Sequence, residues 1–455
     1  MKKIIIVLTA FICYSGLQAQ SWSELGTGSN ALNPTSSINS IVTDRQGNVY
    51  AAVGGAVAKW NGTSWNELGT GANAFNPNGV INSIAVDGSG NVYAGGDFYL
   101  IDSTQSGLIL SYNYYVAKWN GASWSELGPG LGALAANNPI NTIVVDDSGN
   151  VYAAGQFVDY DTNFYVAIWN GAYWNELGQI DANNFINTVV TDHAGNVYAT
   201  GWFTYDSSQY YVAKWNGLLW SELGTGSNAL NPVGGYINTI EVDRAENVYA
   251  AGGFTNASGN YYVAIWNGTN WTELGGTNAL GANGAINSIA VDDSGNVYAA
   301  GGFTNANGKE YVAKWNGSYW SALGVGSSAL NADSWILIIV ADSSGNVYAT
   351  GDFTDANHKL YVAKWSPTAI PTGINAPIGL ADMAIYPNPA AGMVNVTVPE
   401  NGQLGIYNTL GELIYTQQLT NRNSSVNLGN TPSGIYTLVF TGQNTTYAPV
   451  KLVKE

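Results

Sequence analysis

Between residues 21 and 365 the apolar residues fall in short alternating runs, and no 3.6-residue apolar period lasts for ten residues. The phrase INSIVTDRQGNVY (Ile38–Tyr50) shows the pattern. Val, Ile and Tyr, which suit a pleated and packed surface, stand on either side of a break rich in Asp, Gly and Asn. The phrase returns from Ile81, Ile140, Ile186, Ile237, Ile286 and Ile336, so there are seven copies. Two further markers also occur seven times. AKW or AIW ends at Trp60, Trp119, Trp169, Trp215, Trp266, Trp315 and Trp365, and W-x-E/A-L-G begins at Trp22, Trp65, Trp124, Trp174, Trp220, Trp271 and Trp320. In the second copy the spacing predicts four strands, over 81–86, 91–95, 115–119 and 123–127. The D-x-S-G-N break reverses the chain between the first two strands. Asn-Gly, which tolerates positive φ, reverses it between the last two.

Four antiparallel strands repeated seven times predict an all-β, seven-bladed β-propeller. The last copy stops at its third strand, whereas SWSELG (21–26) is a fourth strand with no predecessor. Pairing Ser21–Leu25 beside Tyr361–Trp365 closes the ring and removes an open sheet edge. Fourteen of the 16 Trp fall at two fixed places per copy, which marks them as packing between blades. The glutamates of W-x-E-L-G and the lysines of AKW are expected to form cross-strand ion pairs.

Residues 1–19 read as an export signal: Lys2 and Lys3, then an apolar stretch too short to span a bilayer, then LQA. Cys13, the only cysteine, leaves with it, so the mature chain has no disulfide and no thiolate chemistry. Residues 21–365 carry 9 Lys/Arg against 27 Asp/Glu, a balance that repels nucleic acid. The expected domains are the signal (1–19), the propeller (20–365), a Pro-containing linker (366–382) and a small C-terminal β-sandwich (383–455).

The stretch AGGFTNANGKEYVAKWNGSYWSALG (300–324) resembles kelch-type and galactose-oxidase-type propeller repeats, which pair Gly-Gly with a later aromatic and a Trp. VAKWNGxxWxxLG is also similar to extracellular repeats of fungal cell-polarity landmark proteins, and SGNVYAAGxF to repeats of bacterial surface proteins. These resemblances imply a propeller and no particular activity. Copper catalysis of the galactose-oxidase kind needs a Cys–Tyr crosslink and two His in one site. Here there is no mature Cys, and His193 and His358 belong to different copies, each expected to be a solvated surface residue. The same shortage argues against a Ser-His-Asp triad, and sialidase S-x-D-x-G-x-T-W boxes are absent. D-x-S-G-N is too short for an EF-hand and reads as an Asp-capped turn, so no cofactor is expected, with a weak calcium site the one cation reading left open.

The second-to-third and fourth-to-first connections emerge on one side of the ring, and they are the connections that vary in length. That face carries Tyr99, Tyr112, Tyr160, Trp202, Tyr205, Tyr236 and Trp335 outside the repeated set. Variable loops over a rigid scaffold are where binding residues collect, so these seven are the candidate contacts for a glycan or protein ligand. The alternatives are a glycan-active hydrolase or lyase using carboxylates on that face, and a structural surface-layer protein.

Residues 383–455 resemble the type A C-terminal sorting domain of the type IX secretion system of Bacteroidetes. The matching phrases are YPNP (Tyr386, Pro387, Asn388, Pro389), YNTLGELIY with Gly411, SGIYTL with Gly434 and Tyr436, and KLVKE with Lys451. The resemblance implies passage across the outer membrane by the type IX machinery. Removal of the domain then accompanies release or attachment to surface lipopolysaccharide.

Overall fold

The computed structural model describes residues 21–103, 109–205, 209–230, 232–367, 384–398, 401–408, 413–420, 423–429, 431–441 and 450–454. The expected export signal and nearly all of the expected linker lie outside the described residues. The chain divides into two compact units, Met1–Thr368 and Ala369–Glu455. Among the described residues no helix is long and apolar enough to cross a membrane.

Among the described residues the first unit holds seven four-stranded antiparallel sheets. In the second, Ile81–Val86, Val92–Gly96, Ala117–Trp119 and Trp124–Glu126 follow one another from one edge to the other. The seventh is assembled from both ends of the unit. Ile336–Ala341, Val347–Gly351 and Ala363–Ser366 are completed by Ser21–Glu24, which pairs antiparallel with the last of them, Trp22 opposite Trp365.

The first strand of each sheet abuts the first strand of the next. The series runs from Ile38–Thr43 through Ile81–Val86, Ile140–Val145, Ile186–Thr191, Ile237–Val242 and Ile286–Val291 to Ile336–Ala341. This last strand abuts Ile38–Thr43 again, so the sheets form a closed ring, the arrangement of a β-propeller.

Three repeated devices tie neighbouring sheets together. Each first strand carries a bulge at its second residue, as between Ile38 and Ser40. Where that residue is Asn it donates to the next sheet, as from Asn39 to the Ile81 carbonyl at 3.1 Å and from Asn82 to that of Ile140 at 3.1 Å, whereas the seventh sheet has Leu337 there. The Trp of each fourth strand donates its indole N–H to a Leu carbonyl of the preceding sheet. Trp124 reaches Leu68, Trp174 reaches Leu127, Trp65 reaches Leu25 and Trp22 reaches Leu323. The last two bonds cross the junctions on either side of the N-terminal strand, so the seventh sheet is held as the others are. The Gly after that Leu gives the third-strand Trp of the next sheet its space. At Gly224, φ is +86°, and a Cβ would lie 2.7 Å from Trp266. Bulky side chains so placed bury apolar area that a short four-stranded sheet alone would leave wet.

The expected Glu–Lys ion pairs are not formed. In the first sheet Lys59 lies opposite Asn66 and Glu67 opposite Ala58, because residues one apart on a strand point to opposite faces. Lys59, Lys118, Lys214, Lys314 and Lys364 instead lie over the rings of Tyr50, Tyr93, Tyr198, Tyr298 and Tyr348, at 5.1 to 5.5 Å from their centroids.

The second unit has two sheets around one core. Ala384–Tyr386, Met393–Thr397 and Asn423–Asn427 form one. Leu413–Leu419, Gly402–Tyr407, Gly434–Thr441 and Val450–Lys454 form the other, in that spatial order. Val394, Val396, Leu404, Ile406, Leu438 and Phe440 meet between them.

Candidate functional site

The two ends of the ring are built differently. At one end lie the first-to-second-strand turns, and each is locked by its Asp. Asp87 Oδ1 accepts from the backbone N–H groups of Ser89 and Asn91, and Oδ2 accepts from the Asn91 amide and the Tyr93 hydroxyl, all within 3.0 Å. The same four bonds recur at every copy, for example at Asp342. Burial pushes the Asp87 carboxyl up, but these donors outweigh it and hold it below the usual range. Tyr93 is pushed well above the ordinary phenol range by burial and then by the Asp87 charge. The oxygens of these carboxylates are thus engaged within their own turns.

The other end carries the variable connections. Trp202 follows the second-strand Gly201, and its backbone N–H donates to the Phe185 carbonyl at 2.9 Å. Tyr236 immediately precedes the first strand of the next sheet. The two rings stack with centroids 5.8 Å apart and planes at 25°, with Trp202 49% and Tyr236 38% exposed. Gly253 lies under Tyr236; a Cβ there would sit 3.5 Å from the ring. Tyr99 meets Tyr112 edge-on at 4.7 Å on a separate two-stranded hairpin between the second and third strands of the second sheet. Trp335 lies against Gly302, over half exposed. Tyr160 stands fully exposed in a turn capped by Asp159. Tyr205 ends the short strand Thr204–Tyr205. The structure therefore joins Trp202 to Tyr236 and Tyr99 to Tyr112, while Trp335 and Tyr160 stand in other loops.

Sequence reasoning missed a set of charges at the turn end. The residue after each repeat Asp differs from copy to copy: Arg45, Gly88, Asp147, His193, Arg244, Asp293 and Ser343. Arg45 reaches past Gly88 to Asp147, Nη2 to Oδ1 at 2.7 Å, and His193 Nδ1 lies 2.5 Å from the other oxygen of the same carboxylate. His193 thus lies on the exposed surface and is also paired with Asp147. Its hydrogen bond, helped by its charge and that of Arg45, holds Asp147 below the usual carboxylate range. Arg244 pairs with Asp293 at 2.7 Å. Two pockets open here, of ≈ 350 Å³ beside Arg45 and Asp147, and ≈ 270 Å³ between Arg45, His193 and Arg244. The signal was present in the sequence, as the most variable position of the repeated turn.

Glu241 was also overlooked. It faces Tyr249 across the first two strands of the fifth sheet, the place that Val42, Ala85, Val144, Val190, Ala290 and Val340 fill elsewhere. Desolvation pushes its carboxyl up to about 7. Among the described residues no three His, Cys, Asp or Glu cluster as metal ligands.

In the second unit Asn388 ties the YPNP phrase to the terminal strand. Its amide donates to the Lys451 carbonyl at 2.7 Å and accepts from the Val453 N–H at 2.8 Å. Tyr436 is buried, with its hydroxyl on the Pro432 carbonyl, while Tyr386, Pro387, Pro389 and Lys451 are exposed. Gly434 opens the strand Gly434–Thr441, and Gly411 lies outside the described residues.

Residues 384–455 match the family model of the secretion system C-terminal sorting domain. No curated protein matches the chain. Among solved structures, the extracellular domain of a putative hybrid two-component system from B. thetaiotaomicron is 12% identical at TM-score 0.50, over 96% of this chain and 57% of that one. A chain of the mitotic checkpoint complex is 11% identical at TM-score 0.51, over 81% and 99%. PorZ, a surface component of the type IX secretion system of Porphyromonas gingivalis, is 14% identical at TM-score 0.49, over 93% and 60%. The chain thus spans about three-fifths of the two bacterial chains. At such identities the likeness concerns the fold. The sorting domain marks the chain as exported by the type IX system, to the cell surface or the medium.

Proposed function

We propose that the chain is a non-catalytic binding protein, a seven-bladed propeller displayed or released by type IX secretion, that holds a glycan on its variable-loop face. The second unit, a small β-sandwich, is its sorting signal, and surface lipopolysaccharide is the anchor where the protein stays attached. The Trp202–Tyr236 pair carries the reading. Two large rings are stacked with their planes at 25° and left partly open to water. Such a platform offers flat apolar area to the C–H face of a pyranose, and exposed aromatic area in a loop cluster marks a contact site. The Tyr99–Tyr112 pair offers a second patch on the same end. No cofactor enters this reading.

A glycan array probed with the full chain, with and without calcium, tests it. The expected result is binding to a defined set of neutral glycans, independent of calcium and lowered at least tenfold by Trp202→Ala. An array without hits, or hits unaffected by Trp202→Ala and Tyr236→Ala, refutes it.

A further inference from the structure

The first unit has only two arginines, Arg45 and Arg244, and two histidines, His193 and His358. Three of these four sit at one repeat position, immediately after the turn Asp, and border one pocket at the turn end of the ring. The aromatic platform is at the other end, because the first-to-second turns and the second-to-third loops lie at opposite ends of antiparallel strands. The unit's described lysines do not join the three: five lie over Tyr rings, and Lys309 and Lys359 belong to second-to-third loops.

Both arginines are held in place from one side. Arg45 gives Nη2 to Asp147 and Arg244 gives Nη2 to Asp293. A guanidinium has five N–H donors in a planar fork, so one such bond orients the group and leaves donors for a planar oxyanion. Gly88 matters to this geometry, since a Cβ there would already lie 3.7 Å from Arg45 Nη1 and a longer side chain would occupy the guanidinium's path.

Charge decides what kind of anion fits. The pocket is ringed by the repeat carboxylates, Asp292 and Asp342 among them, whose oxygens are taken up by their own turns but whose charge remains. A polyanion meets more repulsion from that ring than a single carboxylate does, and the two guanidiniums that border the pocket are the groups that offset it. Ser343 and the Asp293 oxygen not used by Arg244 are acceptors for hydroxyl groups. A pocket of ≈ 270 Å³ admits one small ring. We propose that the turn end of the ring is a second binding site, specific for a sugar bearing one carboxylate, a hexuronate, with Arg45 and Arg244 on the carboxylate.

Titration calorimetry of the full chain with sodium glucuronate tests this, with glucose, acetate and inorganic phosphate as parallel probes. Glucuronate is expected to bind at least tenfold more tightly than each of the others. Arg244→Ala should weaken it at least tenfold, Arg244→Lys should fail to restore it, and Trp202→Ala should leave it unchanged. Thermal melting of each variant separates a lost site from a lost fold: a variant that melts well below the parent is replaced by Gly88→Leu, which blocks Arg45 from the turn above it. The site is refuted by absent glucuronate binding or by binding that survives Arg45→Ala/Arg244→Ala. Acetate or phosphate binding as tightly as glucuronate shows an unspecific anion site and refutes the sugar. Loss on Trp202→Ala places the sugar on the aromatic face and overturns the proposal, independently of the neutral-glycan reading.

Discussion

Replacing Glu241 tests the electrostatics of the ring most directly. Six sheets place Val or Ala opposite the second-strand Tyr, and the fifth places a carboxylate there, on the strand that abuts the sixth sheet. Desolvation raises its pKa from 4.5 to about 7. A raised carboxylate pKa means that between pH 4.5 and 7 the folded chain holds a proton the unfolded chain has released. Stability therefore falls as pH rises through that window and stays lower above it. At about 1.4 kcal/mol per pH unit the shift corresponds to roughly 3 kcal/mol. That is an upper bound, because the side chain retains some contact with water.

Glu241→Gln keeps the shape and removes the titration. At pH 8 it should exceed the parent by up to about 3 kcal/mol, or roughly 4 °C in Tm for a unit of this size. At pH 4 the two should melt together. Tryptophan fluorescence follows the first unit, since every Trp lies within residues 22–365. Many other acids titrate as well, so the informative quantity is the parent–variant gap as a function of pH. A gap that is the same at pH 4 and pH 8, or that opens only at the acid end, refutes the argument. Glu241→Val, which copies four of the other sheets, should widen the gap further by adding apolar burial.

Two further outcomes follow from the geometry. Gly224→Ala forces a Cβ into a backbone with φ +86° and to within 2.5 Å of the Asn228 carbonyl oxygen and 2.7 Å of Trp266, so it should cost about 2–4 kcal/mol in urea unfolding; a cost under about 0.5 kcal/mol would mean that the Trp266 packing gives way freely. Deleting residues 384–455 should leave the first unit folded and held in the periplasm, as read by cell fractionation, and normal surface delivery of the truncated chain would show that the matched sorting domain does not direct export.

Much of the fold could be read from the sequence because the repeat is nearly exact where packing demands it. The strands expected over 81–86 and 91–95 appear as Ile81–Val86 and Val92–Gly96. The orphan SWSELG pairs where the missing strand left room, with Trp22 against Trp365. What could not be read is which face a side chain takes and what lies beyond its own hairpin. The Lys of AKW has the Glu of W-x-E-L-G as its nearest opposite charge in sequence, whereas the pleat turns it onto Tyr. The bulge that frees Asn39 to bridge two sheets has no local sequence mark, since it exists only in relation to the neighbouring sheet.

The same repetition that exposes the fold conceals the site. Residues shared by all copies must satisfy seven equivalent surroundings, so they report packing: the Asp of the turn and the Trp of the fourth strand serve their own sheet or the one before it. A ligand breaks that equivalence, and contacts to it are found where one copy departs from the rest. Loop length showed one set of departures and led to Trp202 and Tyr236. A single turn position showed the other without any change in length. Arg45, Asp147 and His193 are separated by 102 and 46 residues in the chain, and the packing of successive sheets brings Arg45 and His193 onto the Asp147 carboxylate. Arg45 of the first sheet and Ser343 of the seventh line one pocket across the closure, so opening the ring at the N-terminal strand should disperse that pocket along with the core.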